Sequence, residues 1–140
     1  MIGHHLVMAA GDPPPGKSGW TIGIAPLDLN GKPSQYLSLS NAAVATSGDL
    51  FQFVEIAGKR YSHIVDPRTG WPAEATPSVT IIGPETTGAD ALATAVSVLG
   101  AREGMDLVAG QNGYEAMIVV GRPESFQKIE SRGFSRYVHE

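Results

Sequence analysis

The sequence predicts an α+β domain in which a mostly antiparallel sheet is covered by helices on one side. Two observations carry that reading. From Leu6 to Ile82, short apolar or alternating segments are separated by Gly, Pro and Asn turns, the pattern of strands joined by tight connections. After Gly83-Pro84 the apolar period lengthens to about 3.6, the spacing of a helix face.

Leu6 to Ala10 is a short apolar run that could be a buried strand, ended by Gly11-Asp12-Pro13-Pro14-Pro15-Gly16-Lys17-Ser18-Gly19. That segment matches the phosphate-loop pattern Gly-x-x-x-x-Gly-Lys-Ser, but the chemistry rejects the match. Such a loop grips phosphate with successive backbone N–H groups, which Pro13, Pro14 and Pro15 lack. It must also open a helix, whereas Trp20 to Ala25 reads as a strand closed by Pro26, so the segment is a solvated hairpin connection.

Leu27 to Ser34 is turn-rich, Tyr36 to Ser40 alternates as a strand, and Asn41 to Thr46 continues in a strand ending at Ser47-Gly48. Phe51 to Ile56 and Lys59 to Val65 form two strands across Ala57-Gly58, with Tyr61 and His63 on one face and Ser62 and Ile64 on the other. Thr76 to Ile82 is a β-branched strand. Ala89, Leu92, Ala93, Val96 and Leu99 then mark a helix between Thr87, a plausible N-cap, and Gly100, a plausible stop. A second short helix is expected over Arg102 to Ala109, a strand over Tyr114 to Val120, a third helix over Pro123 to Ser131 and a last strand over Phe134 to Val138.

The 140 residues, 42% hydrophobic and 17% charged, suffice for one core and are too few for two ordinary domains. A net charge of −4 argues against a nucleic-acid partner, since binders of a phosphate backbone carry a basic face. The absence of cysteine removes disulfides, thiolate metal sites and cysteine nucleophiles together. No apolar run approaches the roughly 18 to 20 residues of a membrane span, and residues 1–10 have neither the basic start nor the long apolar centre of a signal peptide.

Polar residues crowd the stretch from Lys59 to Pro72, where His63, Asp66, Arg68 and Thr69 fall within seven residues. Pro67 and Pro72 stiffen the backbone there, and a stiff polar loop at a strand end is where sites are commonly built. His63 is a candidate base because an imidazole titrates near neutrality, with a structural or surface histidine as the alternative. Asp66 could serve a ligand or simply satisfy turn amides. Arg68 could pair with a phosphate or remain a solvated charge, as could Lys59 and Arg60. Thr46-Ser47-Gly48 offers hydroxyls and approachable amides, or an ordinary strand-ending turn. Asp90 and Thr94, four apart on the helix, place a carboxylate and a hydroxyl on one face, hard oxygen ligands of the sort Mg²⁺ takes alongside phosphates and water. The plainer reading of Thr87 and Asp90 is a capping box.

His63-Ile64-Val65-Asp66-Pro67-Arg68-Thr69-Gly70 resembles the His-x-x-Asp-Pro-x-Thr-Gly element of the ApbE family, the FAD:protein FMN transferases. Ala45-Thr46-Ser47-Gly48-Asp49 upstream and Ala89-Asp90-Ala91-Leu92-Ala93-Thr94-Ala95 downstream resemble that family's flanking elements in order and spacing. The resemblance spans roughly residues 5 to 120 and implies that residues 1–140 are a single ApbE-like domain of T-fold type, the C-terminal portion of a family member. It implies Mg²⁺-dependent transfer of FMN from FAD to a Thr or Ser of an acceptor protein, with release of AMP. By the same resemblance His63 is catalytic, Asp90 and Thr94 hold Mg²⁺, and Thr46, Ser47, Gly48, Asp66, Arg68, Thr69 and Gly70 meet FAD. The family's segment Asp-x-Gly-Gly-x-x-Lys-Gly has no match here, so a missing N-terminal half or a partner chain is expected. The rival expectations are a non-catalytic flavin-nucleotide or interaction module, and an FAD pyrophosphatase. Family members are often periplasmic or membrane-anchored, and the compartment of this chain is left open.

Overall fold

A computed structural model describes residues 5–24, 31–48, 53–73, 78–121 and 125–139, with the side chains of His5 and Arg60 outside the description. Strands β1 (His5–Ala9), β4 (Ala42–Ser47), β9 (Ser78–Gly83), β10 (Glu115–Val120) and β11 (Gln127–Glu130) form one sheet in the order β1-β4-β9-β10-β11. Every neighbouring pair in it is antiparallel. Three hairpins stand beside it: β2 (Trp20–Ile24) with β3 (Gln35–Leu39), β5 (Phe53–Ile56) with β6 (Lys59–Ser62), and β7 (Val65–Asp66) with β8 (Trp71–Pro72). The expected α+β architecture with an antiparallel sheet is what the chain adopts.

The sheet's alternation sends two sets of side chains to two cores. Ala43, Ala45, Val79, Ile81, Ala116 and Ile118 meet the helix α1 (Thr86–Ala109) through Ala89, Ala93, Val96 and Val108. On the other face, Val44, Ile82 and Met117 meet Ile24, Leu37 and Leu39 of the β2–β3 hairpin and Phe134. Phe134, Leu37 and Leu39 are fully buried, and each such side chain contributes roughly 1.5–3 kcal/mol of burial.

α1 is two helical segments. Gly100 at φ 80°, ψ 179° breaks it, in a backbone region reserved almost wholly for glycine. In a straight helix residues 96 and 104 would lie about 12 Å apart. Here a Cβ placed on Gly104 would sit 2.6 Å from Val96 Cγ1, so the chain folds back sharply and residues 101–109 pack against residues 86–99. The two helices expected on either side of Gly100 are therefore present.

Five expectations are corrected. The third helix expected over 123–131 is instead β11, because Gln127–Glu130 finds open ladder groups on β10; Pro123 itself lies outside the described residues. The last strand expected over 134–138 is a short 3₁₀ helix, Phe134–Tyr137, with only Val138 bridging to Leu37. A polar clasp holds that helix: Glu115 accepts from the Ser131 hydroxyl, from Gly133 N at 3.0 Å and from Arg136 Nη2 at 3.0 Å. The helix cap is Glu85, with no side-chain bond, so Thr87 is inside the helix and no capping box forms with Asp90. The strand expected over 59–65 ends at Ser62, whose hydroxyl accepts the Ile64 N–H at 2.9 Å and bends the chain. His63 thus stands in that bend rather than on a strand, although burial still alternates from Ser62 to Val65. Finally, the apolar run at residues 6–10 was expected to be buried, yet Leu6, Val7 and Met8 are exposed, because β1 pairs with β4 on one side only among the described residues.

The other strands of the five-stranded sheet and the β2–β3 and β5 strands lie where expected, within a residue or two, whereas residues 65–72, expected as a stiff loop, carry the short β7–β8 pair. Ala57 and Gly58, at φ 51° and 76°, make the positive-φ pair that suits a two-residue hairpin turn. The Lys-Ser loop leads into β2, not a helix, in line with rejection of the phosphate-loop match. Asp49, Phe51, Thr76 and residues 27–30 of the expected reversal lie outside the described residues.

Candidate functional site

The β7–β8 hairpin is fixed by its own polar residues. The Asp66 carbonyl accepts from Thr69 N at 3.2 Å and from Gly70 N at 2.8 Å, closing a turn that Gly70 completes at φ 73°. Asp66 Oδ1 accepts the Arg68 N–H at 2.9 Å, and the carboxylate takes Arg68 in a two-pronged pair, Nε at 3.0 Å and Nη2 at 2.8 Å. That bonding holds the Asp66 carboxyl below the usual carboxylate range and raises the Arg68 guanidinium. The Thr69 hydroxyl accepts Trp71 N at 3.2 Å, and Ala73 N donates to Ile64 O at 2.8 Å, fastening the far strand. Of the alternatives for Asp66, turn satisfaction is realised directly. Arg68, a candidate phosphate partner, is already engaged by a carboxylate two residues away.

Against this hairpin lies the break in α1. A cleft of about 450 Å³ is lined by Asp66, Arg68, Thr69, Trp71, Pro72 and Ala73 on one side and by Val98, Leu99 and Gly100 on the other. His63, Gly70, Asp90 and Thr94 do not line it. Asp90 and Thr94 are half-buried and four apart, and Thr94 Oγ1 donates to the Asp90 carbonyl at 3.2 Å. Asp90, Thr94 and Val98 form a stripe at i, i+4 and i+8, so the helix face carrying the carboxylate and hydroxyl runs toward the cleft at Val98. His63 is exposed in the bend two residues before β7.

The Thr46-Ser47-Gly48 group divides. Thr46 stands opposite Thr80 across β4 and β9, and their hydroxyls meet at 3.0 Å on the face away from the helix. Ser47 stands opposite Val79, on the helix face, where it is fully buried and its Oγ has no hydrogen-bond partner among the described residues. The two adjacent hydroxyls therefore face opposite sides of one sheet.

Sequence reasoning missed Trp71, Pro72, Val98 and Leu99 as cleft residues, and took Gly100 only as a helix stop. A tryptophan set between the Thr69-Gly70 turn and Pro72 is the signal the sequence offered.

The family model described as the ApbE family matches residues 2–118. The chain belongs to the ApbE family. It is 41% identical over 102 residues to the FAD:protein FMN transferase of Treponema pallidum, covering 71% of this chain and 28% of that one. The crystal structure of the ApbE protein from Thermotoga maritima superposes with a TM-score of 0.75 at 36% identity, covering 89% of this chain and 40% of that one. The Pseudomonas stutzeri flavinyl transferase ApbE, in its apo form, gives a TM-score of 0.73 at 36% identity, covering 94% and 40%. The chain thus spans well under half the length of these relatives.

Among the described residues, no group of three or more His, Cys, Asp or Glu could hold a metal ion. Asp90 and Thr94 supply one carboxylate and one hydroxyl, and the Thr94 proton is directed at the Asp90 carbonyl, leaving its oxygen lone pairs available. That donor set fits Mg²⁺ only in the manner in which Mg²⁺ keeps several waters and takes substrate phosphates as its other ligands.

Proposed function

We propose that this chain carries part of the active site of an FAD:protein FMN transferase, as a single ApbE-like domain corresponding to the C-terminal portion of the enzyme. The observation that carries the reading is the cleft in which the Asp66–Pro72 hairpin faces the broken helix that bears Asp90 and Thr94. In the reaction, a Thr or Ser hydroxyl of an acceptor protein attacks the FMN phosphorus of FAD. A new P–O bond forms, the pyrophosphate P–O bond breaks, and AMP leaves. His63, on its exposed bend, takes the hydroxyl proton, a general-base role worth about 10²–10⁴-fold. Asp90 and Thr94 would hold Mg²⁺, which when bound supplies charge neutralisation at the pyrophosphate. Asp66 and Thr69 fix the hairpin on the flavin side, with Gly70 permitting its turn and Arg68 locking Asp66 in place. Ser47 borders the helix face, Gly48 follows it just past the strand end, and Thr46 supports the sheet beneath through Thr80.

Positioning catalysis fails when part of the shell around the reacting atoms is missing. The isolated chain is therefore expected to bind FAD weakly and to transfer FMN at a negligible rate. Joined to the unmatched portion of the Treponema pallidum relative, it should label a Thr-bearing acceptor in FAD and Mg²⁺, seen as an FMN mass increment. Efficient labelling by residues 1–140 alone would refute the incompleteness, and labelling by the joined polypeptide that survives both His63→Ala and Asp90→Ala would refute the roles of those residues. A non-catalytic flavin module of the same fold draws on one observation, that Asp66 and Arg68 are spent on each other. It predicts FAD binding without labelling by the joined polypeptide, and release of FMN without acceptor labelling would identify a pyrophosphatase.

A further inference from the structure

A second concavity, of about 530 Å³, shares no residue with the cleft. It lies at the β2–β3 hairpin, which packs on the face of the large sheet opposite α1. Leu37 and Leu39 are fully buried against Phe134, so strand alternation turns Ser38 outward, and Ser40 lines the same groove just past the end of β3. Ser18, Arg136 and His139 complete its polar wall.

Three separate stretches of chain meet there, and each is fixed. The loop before β2 is seated on β3 at Gly19, where a Cβ would lie 2.5 Å from Ser38 Oγ and 2.9 Å from the Leu39 carbonyl oxygen. Glycine thus permits the approach that brings the Ser18 and Ser38 hydroxyls to 3.5 Å. Along the other edge of β3, Val138 bridges to Leu37 and His139 N donates to the Tyr36 carbonyl at 2.8 Å. Arg136 is held from behind, with Nε donating to the Gly133 carbonyl at 3.2 Å and Nη2 to Glu115 Oε1 at 3.0 Å. Its Nη1 has no partner among the described residues, and its side chain is 71% exposed. A guanidinium whose orientation is already set loses little freedom on meeting an anion.

The donor set selects the ligand. No carboxylate lines the groove, although the chain as a whole carries a net charge of −4, and Glu115 stays behind the guanidinium. A planar carboxylate is satisfied by one guanidinium edge, whereas a phosphate turns oxygens in several directions and takes hydroxyl donors as well. The Gly16-Lys17-Ser18 segment fails as a phosphate loop because its prolines lack N–H groups, yet it delivers the Ser18 hydroxyl to this wall. The volume well exceeds a phosphate ion and falls within the ~300–1,000 Å³ of small-molecule sites, and Tyr137 and Val138 offer an apolar wall for an organic remainder.

We propose that this groove binds the phosphate group of a small phosphate monoester, at a site separate from the FAD cleft. Arg136 donates from Nη1, Ser38 and Ser40 donate their hydroxyls, and Ser18 orients Ser38.

The test titrates the full chain, at ionic strength held constant with chloride, with inorganic phosphate, glycerol 3-phosphate and acetate in turn. Glycerol 3-phosphate and phosphate should shift the Arg136 Nε–H and the Ser18, Ser38 and Ser40 amide resonances saturably, while Thr69 and Gly70 in the hairpin stay in place and acetate has no saturable effect. Arg136→Gln should weaken glycerol 3-phosphate binding about 10- to 150-fold, the span of one hydrogen bond to a charged group. Ser38→Ala combined with Ser40→Ala leaves the Glu115–Arg136 contact untouched and should weaken binding about tenfold or more. The double serine variant therefore decides the matter even where loss of Arg136 loosens the fold. Undiminished binding by that variant overturns the proposal, as does the absence of a saturable shift at the groove. Equal binding of acetate overturns the choice of phosphate, and binding of inorganic phosphate without glycerol 3-phosphate overturns the monoester.

Discussion

Replacing Gly100 with alanine isolates a single physical term. A Cβ at Gly100 would meet nothing within 4 Å, so the substitution introduces no clash, only a side chain at φ 80°, ψ 179°. That region is essentially restricted to glycine, and holding another residue there costs about 1–3 kcal/mol. Alanine also favours the straight alternative, in which residues 96 and 104 separate to about 12 Å and the packing of Gly104 on Val96 is lost. The destabilisation is therefore expected at about 1–3 kcal/mol, read as a lower urea midpoint with an unchanged slope. Gly104→Ala provides the steric contrast, because its Cβ would press on Val96 Cγ1 at 2.6 Å. The Gly104→Ala defect should be relieved by Val96→Ala, whereas the Gly100→Ala defect should not. D-Alanine at position 100, whose mirror-image preference accepts positive φ, should recover most of the loss. A Gly100→Ala chain as stable as the parent would refute the account of the break.

Three further outcomes follow from particular contacts. Asp66 titrates below the ordinary carboxylate value of 3.8 because Arg68 bonds its charged form. Its contribution to stability is therefore present above that value and lost as pH falls through the depressed one; Arg68→Gln should return the NMR titration of Asp66 toward 3.8 and remove that acid-limb loss. Gly133→Ala should destabilise the fold by about 0.5–1.5 kcal/mol in thermal melts, since a Cβ there would displace the Glu115 and Arg136 side-chain ends and part the clasp they make. Ser47→Ala should be neutral or stabilising by denaturation of this chain, because the hydroxyl it removes is buried and unsatisfied, whereas Thr46→Ala should cost about 1–3 kcal/mol by stranding the Thr80 hydroxyl.

The parts of the fold visible in the sequence are those governed by local rules. Strand periods, the Ala57-Gly58 turn and the helix stop at Gly100 each depend on a few adjacent residues, and each is present. The third helix over 123–131 failed for a non-local reason, since the open edge of β10 drew Gln127–Glu130 into a ladder against the expectation of a helix begun at proline. The final strand failed similarly, because the buried Phe134 and the Glu115–Arg136 clasp favour a 3₁₀ turn. At the site, the rigid Asp66 loop could be read from its prolines and its Thr-Gly turn. Its opposite wall could not, because Val98 and Leu99 reach the loop only through tertiary packing.

Strand β4 behaves as a partition with numbered addresses. Odd positions Ala43, Ala45 and Ser47 deliver their side chains to the helix side, while even positions Val44 and Thr46 deliver theirs to the hairpin side. Thr46 and Ser47 are covalent neighbours, yet chemically they inhabit separate rooms. A slip of one residue in pairing would exchange their tenancies and carry every apolar neighbour to the wrong room as well. The Thr46–Thr80 hydroxyl bond therefore has a use beyond its own strength, because it marks the one registration in which Ser47, and no other hydroxyl of β4, opens toward the helix.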